Sequence, residues 1–255
     1  MLTALYEYAE NYLFVIETDE TAYNSMRVLP FSVWLNGKGG AVGFTFPISL
    51  TGEHCQAPDE GFPEIAHAIR LTSNVISKII PDMTVEISEV GRKNSEEGVS
   101  LREFDLVSNR NGVRIPLSYE SDGVRRIISF LTLMIAVYNN PSVTVAIDEI
   151  DSGIFEYMLG ELLSVMSESA KGQLIFTSHN LRPLEVLPPK YLLFTTVNPE
   201  RRFAKLEGIS GNNNLRDCYF RTINLGVGKD AFYDATDTFS IEQALFEAGQ
   251  NEEEA

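Results

Sequence analysis

The sequence is poor in the residues that build metal centres and disulfide frameworks. Its 255 residues include only two cysteines, Cys55 and Cys218, and three histidines. The cysteines lie far apart and in no metal-ligand spacing, which disfavours both a zinc site and a disulfide scaffold. No apolar stretch approaches the ~20 residues of a membrane-spanning helix. The first residues also lack the basic start and cleavage site of a secretory signal. These absences predict a protein of the reducing cytoplasm.

Positive charge is the second shortage. The chain has 20 Lys and Arg residues against 36 Asp and Glu residues, which gives a net charge of −16 at pH 7. Such an excess of carboxylates opposes sequence-independent binding to nucleic acid, although a local basic patch is compatible with it. The hydrophobic fraction of 44% is that of a globular protein with a sizeable core.

The first half of the chain predicts a mixture of strands and helices. The segment "GKGG" at 37–40 separates two strand-like segments as a hairpin turn would. Pro81 ends a segment that has apolar residues at helical spacing. The predicted elements are a short helix within 1–20, a hairpin of strands 26–36 and 41–50, a helix over 63–80, and strands over 83–90, 101–108 and 113–117.

From residue 121 the pattern changes to strand–helix–strand units. A strongly apolar helix begins there, with Ser121 or Asp122 as its N-cap. Continuously apolar strands joined by helices indicate a parallel sheet covered on both faces. The predicted elements are strands over 143–147, 173–178 and 191–197, helices over 154–168 and 182–187, and a helical tail from 212. Arg125 and Arg126, in the first turns of the apolar helix, are interpreted as a solvated or salt-bridged face.

Polar side chains follow two of the predicted parallel strands. Asp148 and Glu149 end the first of them, and His179 follows the next, thirty residues after Glu149. Parallel sheets bind ligands where the carboxyl ends of their strands meet, so we expect these side chains to lie close together. Burying carboxylates at a strand end is costly unless a cation, a partner or water compensates the charge. The pattern therefore indicates a cation or a catalytic task.

The segment "LSYESDG" (117–123) lies at the start of the apolar helix. It places Ser118, Ser121 and Gly123 where free backbone N–H groups favour an anion such as phosphate. An anion site, an acidic pair and a histidine in this order are typical of nucleotide hydrolysis.

The ordered motifs resemble the C-terminal half of an ABC-type ATPase domain, and most closely the bacterial AAA/ABC-like ATPases related to the SMC and OLD groups. "LSYESDG" resembles the signature motif, "VTVAIDE" the Walker B motif and "DSG" the D-loop, and His179 stands where the switch histidine would. The later segments "NNNLRDCYFRTINLG" and "DATDTFSIEQALFEAG" resemble the tail of one subgroup. The resemblance covers roughly residues 80–250. It implies an α/β fold of the P-loop NTPase class.

The resemblance also implies roles for individual residues. Asp148 would hold Mg²⁺ through water, and Glu149 would polarise the attacking water. His179 would sense the γ-phosphate of ATP, and Asp151 would couple two protomers.

In the signature-like segment, the resemblance implies nucleotide contacts for four residues. Ser118, or Ser121 with Gly123, would touch the γ-phosphate bound to a partner chain, and Asp122 belongs to the same nucleotide-binding set.

Two departures from the family pattern stand out. The two glycines expected after the signature serine are Tyr119 and Glu120 here. In addition, no G-x-x-x-x-G-K-[ST] phosphate-binding loop (P-loop) occurs, because neither Lys38 nor Lys229 has the required neighbours. In the family this loop lies near the N-terminus, so we expect it ahead of anything that matches residue 1.

The resemblance implies three domain segments: 1–110 as an N-terminal β/α segment, 111–210 as the ABC-type ATPase core, and 211–255 as a helical tail. It also implies an ATP-binding and ATP-hydrolysing domain with Mg²⁺. Such a domain would act as a head-to-tail, ATP-dependent homodimer or beside an adjacent P-loop-bearing chain, and could reach nucleic acid through a complex.

Two other functions remain open. The chain could be a non-catalytic scaffold or regulatory remnant that acts by protein–protein interaction. It could also be an OLD-type nuclease subunit, although the tail after residue 200 is short for the metal-binding domain that this requires. Phage defence, DNA transactions and transport regulation all use this kind of ATPase.

Overall fold

The computed structural model describes residues 2–17, 28–37, 40–49, 54–205, 214–225, 232 and 236–250. The chain divides into two compact units, Met1–Val186 and Leu187–Ala255. Within the described residues, no helix is long and apolar enough to cross a membrane.

The first unit alternates helices and strands. Its elements are α1 (Leu2–Asn11), β1 (Leu13–Ile16), β2 (Val28–Gly37), β3 (Gly40–Ser49), β4 (Cys55–Pro58), α2 (Phe62–Ile79), β5 (Met83–Asn94), β6 (Ser100–Arg110), β7 (Val113–Pro116), α3 (Asp122–Asn139), β8 (Thr144–Ile147), α4 (Glu156–Ser169), β9 (Gln173–Phe176) and α5 (Pro183–Val186).

Antiparallel strands build the first half of this unit. β2 and β3 form the predicted hairpin, and its turn residues Lys38 and Gly39 lie outside the described residues. β4, β6 and β5 form a second sheet, to which β7 adds on β6. α2 confirms the predicted helix over 63–80, and its buried residues Ile65, Ile69 and Ile76 lie at helical spacing, as an amphipathic helix requires.

A parallel sheet of order β1–β8–β9 builds the second half, which confirms the predicted parallel strands over 143–147 and 173–178. The third predicted parallel strand, over 191–197, is not part of it, because Phe194–Thr195 pairs antiparallel with Phe203–Ala204. The edge strand β1 of the parallel sheet was not predicted, because residues 1–20 were interpreted as helix alone. "LFVI" is too short an apolar run for its period to distinguish a strand from a helix.

Among the described residues, one face of this sheet carries exposed apolar side chains. Val15, Ala146 and Ile175 are aligned across the three strands. Val15 is 62% exposed and Ile175 is 52% exposed. The opposite face carries Val145 and Ile147, which are fully buried. In the part of the chain that the structure describes, the fully buried side chains of the sheet therefore lie on one side.

α3 is the central helix of the unit. The Ser121 hydroxyl accepts a hydrogen bond from the Val124 N–H at 3.4 Å, so Ser121 is the N-cap, as one of the two predicted alternatives had it. Residues from Ile127 to Met134 are buried, which explains why this helix is apolar on almost every side.

The second unit consists of β10 (Phe194–Thr195), β11 (Phe203–Ala204), α6 (Leu215–Leu225) and α7 (Thr238–Gln250). The predicted strand over 191–197 is reduced to the two residues of β10, because a 3₁₀ turn over Pro189–Tyr191 occupies its start. The predicted helical tail is confirmed by α6 and α7. The rings of Phe194, Tyr219 and Phe232 form an aromatic cluster with centroids 5.4–6.2 Å apart.

Candidate functional site

An acidic turn, residues 148–151, follows β8 and forms hydrogen bonds to the ends of both neighbouring strands. The Asp148 N–H donates to the Ile16 carbonyl of β1 at 2.9 Å. The Glu149 N–H donates to the Thr177 hydroxyl, just after β9, at 2.7 Å. That hydroxyl in turn donates to Asp148 Oδ1. Thr177 therefore orients both acidic residues, and its place directly after the second apolar strand is the only sequence signal that could have identified it.

Glu149 has a backbone φ of +45°, in the left-handed region. This conformation costs a non-glycine residue about 1–2 kcal/mol and persists only where the surroundings enforce it. Such strain is enriched at functional sites, and here it occurs at the residue for which the sequence predicts a catalytic role.

His179 lies beside this acidic turn, as the strand order predicted. Its Nε2 is 3.4 Å from Glu149 Oε1. The imidazole is 85% exposed, so His179 is not part of the core. The loop that carries His179 therefore presents the ring to solvent next to a carboxylate.

The Asp151 carboxylate holds the histidine loop within the same chain. It accepts hydrogen bonds from the Asn180 N–H at 2.9 Å and from the His179 N–H at 3.3 Å. Asp151 is the residue for which the sequence implied contact with a second protomer. In this structure its carboxylate fixes the backbone on which His179 stands.

The signature-like segment forms a 3₁₀ turn, Leu117–Tyr119, followed by the start of α3. The Ser118 carbonyl accepts from Arg125 Nη1 at 3.2 Å, and Asp122, 87% exposed, forms an ion pair with the same guanidinium. Arg125 is thus salt-bridged, as predicted. Ser121 caps the helix, and the Tyr119 side chain is 80% exposed. Among the described residues, none of these side chains forms a hydrogen bond or ion pair with Glu149 or His179.

Gly123 connects this segment to the "DSG" turn, residues 151–153. A Cβ added at Gly123 would lie 2.0 Å from the Gly153 carbonyl oxygen, so the two backbones touch with no room for a side chain. Gly153 itself has a φ of +71°. The contact requires glycine at residue 123 and favours it at residue 153.

Glu120 anchors the signature-like turn to β6. Its side chain is only 7% exposed and accepts two hydrogen bonds from Arg110, at 2.9 and 3.0 Å, and one from the Ser108 hydroxyl at 2.6 Å. The hydrogen bonds from Arg110 hold the pKa of Glu120 below its ordinary value. In the sequence Glu120 was only a departure from a glycine pattern. Its partners Ser108 and Arg110 lie on β6 and are brought to it by the tertiary fold, so the sequence did not predict this role.

The family model described as "AAA domain, putative AbiEii toxin, Type IV TA system" matches residues 52–185, which is just over half of the chain. The chain belongs to this AAA-domain family. Family membership, together with the parallel sheet and its helices, agrees with the predicted α/β, P-loop NTPase class. No curated protein matches the chain.

Three solved structures resemble parts of this AAA-domain chain. An SmcHead bound to the C-winged helix domain of ScpA is 16% identical, with a TM-score of 0.37, 48% of this chain covered and 37% of that one. A structure from work on ATP-driven dimerization and DNA-stimulated activation of SMC ATPases is 12% identical, with a TM-score of 0.46 and coverages of 67% and 98%. An Smc head domain with a coiled coil and joint from Pyrococcus yayanosii is 11% identical, with a TM-score of 0.45 and coverages of 63% and 30%.

The chain spans about a third of the length of the first and last of these structures.

The donor set at the acidic turn is compatible with Mg²⁺. Among the described residues, no group of three His, Cys, Asp or Glu side chains could hold a metal ion by itself. Mg²⁺ usually keeps several waters and binds one or two carboxylates together with substrate phosphates. Asp148, at the end of β8 and oriented by Thr177, offers a carboxylate of that kind.

Replacing Glu120 by Gln is expected to lower the stability of the first unit by about 1–3 kcal/mol at pH 7, because it weakens hydrogen bonds between charged groups. A lowered folded-state pKa stabilises the fold above the unfolded pKa, and this contribution is lost as the pH falls through the folded pKa. The difference in melting temperature between wild type and Glu120→Gln should therefore shrink below about pH 4. The exposed Glu97→Gln serves as the control, and a difference that persists at pH 3 would contradict the ion pair.

Proposed function

We propose that this chain provides the Walker B, switch and signature portions of an ATP-hydrolysing site in an ABC-type AAA domain. The observation that carries the proposal is the 3.4 Å approach of His179 Nε2 to Glu149 Oε1 beside Asp148, at the carboxyl end of a parallel strand. Membership of the AAA-domain family supports the same conclusion.

In this proposal Asp148 would hold Mg²⁺, and Glu149 would accept a proton from the attacking water. Mg²⁺, when bound, neutralises charge on the phosphates. His179, exposed and held through its backbone by Asp151, contacts the γ-phosphate. Phosphoryl transfer needs mainly positioning and charge stabilisation, which this set of residues can contribute.

The signature-like residues would act on nucleotide held by another subunit. In a head-to-tail dimer Ser118, Ser121, Asp122 and Gly123 would face nucleotide bound to the partner. What supports this at the start of α3 is that the helix begins at Asp122, since the first N–H groups of a helix have no partner within it. Asp151 would then serve its own chain's histidine loop as well as the dimer contact.

The phosphate-binding loop is the missing part of the site. The 255 residues contain no P-loop motif, and their net charge of −16 repels phosphates. We therefore propose that the loop comes from outside these residues, on an adjacent chain or segment. The catalytic residues all fall within 111–210, the segment proposed as the ATPase core.

The purified 255-residue chain is expected to show no Mg-ATP binding at micromolar concentrations and no phosphate release above background. Without a P-loop, no lysine or N–H cradle offsets repulsion between the carboxylates and the phosphates. Isothermal calorimetry and a phosphate-release assay measure both quantities. Micromolar affinity would mean that the chain contains its own cradle, and Lys38, outside the described residues, would be the first lysine to replace.

The matched experiment adds a P-loop. If a P-loop-bearing polypeptide is encoded beside the chain, the two are co-expressed or joined, and ATP turnover is measured. Turnover that needs both parts supports the ATPase proposal. An assembly that forms but neither binds nor hydrolyses Mg-ATP would contradict it and favour the alternative, a non-catalytic scaffold acting by protein–protein interaction.

The process that hydrolysis drives is a separate proposal. A role in phage defence is supported only by the family description, which includes a toxin of a type IV toxin–antitoxin system. Contact with nucleic acid would occur through a complex, because the chain itself is strongly acidic.

A further inference from the structure

A buried guanidinium lies beneath the acidic turn. Arg126, in the second turn of α3, is only 8% exposed, so of the two alternatives predicted for it, a solvated or a salt-bridged face, the solvated one is wrong. Its Nη2 donates to two main-chain carbonyls, that of Asp148 at 2.9 Å and that of Glu149 at 3.0 Å. One nitrogen thus spans both peptide groups of the turn.

A cation at this place is costly for the fold. Its neighbours in α3, Ile127 and Ile128, are buried and apolar, and an apolar side chain would avoid the cost of desolvating a charge. Hydrogen bonds from a charged donor are roughly twice as strong as neutral ones, and two of those made by Arg126 reach backbone carbonyls of the turn. The contacts therefore act on the path of the backbone at Asp148 and Glu149.

Glu149 is the residue whose backbone needs such support. Its φ of +45° is strained, and its peptide groups are held from two directions. Thr177 accepts from its N–H, and Arg126 donates to its carbonyl. Release of either contact would let the backbone relax towards an ordinary φ, which would turn the carboxylate away from His179.

We propose that Arg126 is a positioning residue that keeps Glu149 aimed at the catalytic position and links the start of α3 to the acidic turn. The catalytic part of this statement rests on the proposed function. The same helix begins at the signature-like segment, only four residues before Arg126, so a displacement of α3 would reach Glu149 through this side chain.

The test is amide hydrogen exchange on the 255-residue chain and does not depend on ATP. Arg126→Met is expected to speed exchange of the Glu149 and Ile150 amides by roughly ten- to hundredfold, the range that loss of charged hydrogen bonds implies. Amides in β5 and β6 should change much less. Arg126→Lys should fall between the two, because one ammonium on a shorter side chain cannot span both carbonyls equally well.

Arg125→Met is the matched control, since this neighbouring arginine contacts Ser118 and Asp122 instead. It should leave exchange at Glu149 and Ile150 unchanged. Wild-type exchange in Arg126→Met, or an equal increase across β5, β6 and the turn, would overturn the proposal and leave Arg126 as a packing residue. If Arg126→Met fails to fold, Arg126→Lys decides by the same criterion.

A second measurement separates this proposal from the proposed function. In an assembly supplied with a P-loop, Arg126→Met should lower kcat for ATP about tenfold or more while KM stays near the wild-type value, because positioning acts on the chemical step. If the wild-type assembly lacks ATPase activity, the proposed function fails while the exchange result still decides the structural role of Arg126. If the assembly is active and kcat is unchanged, the positioning role fails alone.

Discussion

Replacing Glu149 by Gln is expected to lower ATP turnover by about 10²–10⁴-fold in an assembly that supplies the P-loop, while nucleotide binding survives. The amide keeps the size of the side chain and its neighbour Asp148, but it cannot accept a proton from water. Single-turnover phosphate release and calorimetry with Mg-ATP measure the two quantities separately. Retained binding with lost turnover is the result that a general base predicts.

The exposed Glu96→Gln is the matched control for this variant, since it removes the same charge in the turn between β5 and β6. It should hydrolyse ATP at the wild-type rate. A wild-type rate in Glu149→Gln would remove Glu149 from the chemistry. Loss of both binding and turnover would instead assign Glu149 to metal or nucleotide binding, with the base elsewhere.

Replacing Gly123 by Ala is expected to destabilise the first unit. The new Cβ would lie 2.0 Å from the carbonyl oxygen and 2.9 Å from the carbonyl carbon of Gly153. Both are backbone atoms, so the "DSG" turn or the start of α3 must move. Overpacking of this kind costs about 1–3 kcal/mol and occasionally more, which corresponds to a fall in melting temperature of roughly 2–12 °C.

Gly61→Ala provides the comparison, because a Cβ at Gly61 meets nothing within 4 Å and the residue has a φ of −91°. Its melting temperature should stay near that of wild type. If Gly123→Ala and Gly61→Ala melted alike, the close backbone approach would be wrong, and Gly123 would no longer link the signature-like segment to the "DSG" turn.

The proximity of Glu149 and His179 followed from the sequence because it depends on simple rules. Two apolar runs separated by one helix predict adjacent parallel strands, and the carboxyl ends of such strands meet at one edge. The side chains that follow them, thirty residues apart, were therefore expected to be neighbours. The N-cap of α3 was also predictable from the local sequence, since Ser121 was one of its two predicted candidates.

The supporting contacts were not predictable in the same way. Arg126 and Glu120 look like ordinary surface charges in sequence, and only the tertiary fold brings Asp148, Glu149 and Arg110 to them. β1 escaped prediction because its four residues carry too little periodic signal and its partner, β8, lies far along the chain. Thr177 acts through a hydroxyl whose partners depend on the exact approach of two strands.

The exposed apolar side chains on one face of the parallel sheet favour association of one chain with another. Val15 and Ile175 present branched apolar side chains to water on adjoining strands, and among the described residues β9 pairs only with β8. A free strand edge beside a wet apolar face favours association of one chain with another, and this tendency rises with concentration. The high negative charge opposes such association most at low ionic strength.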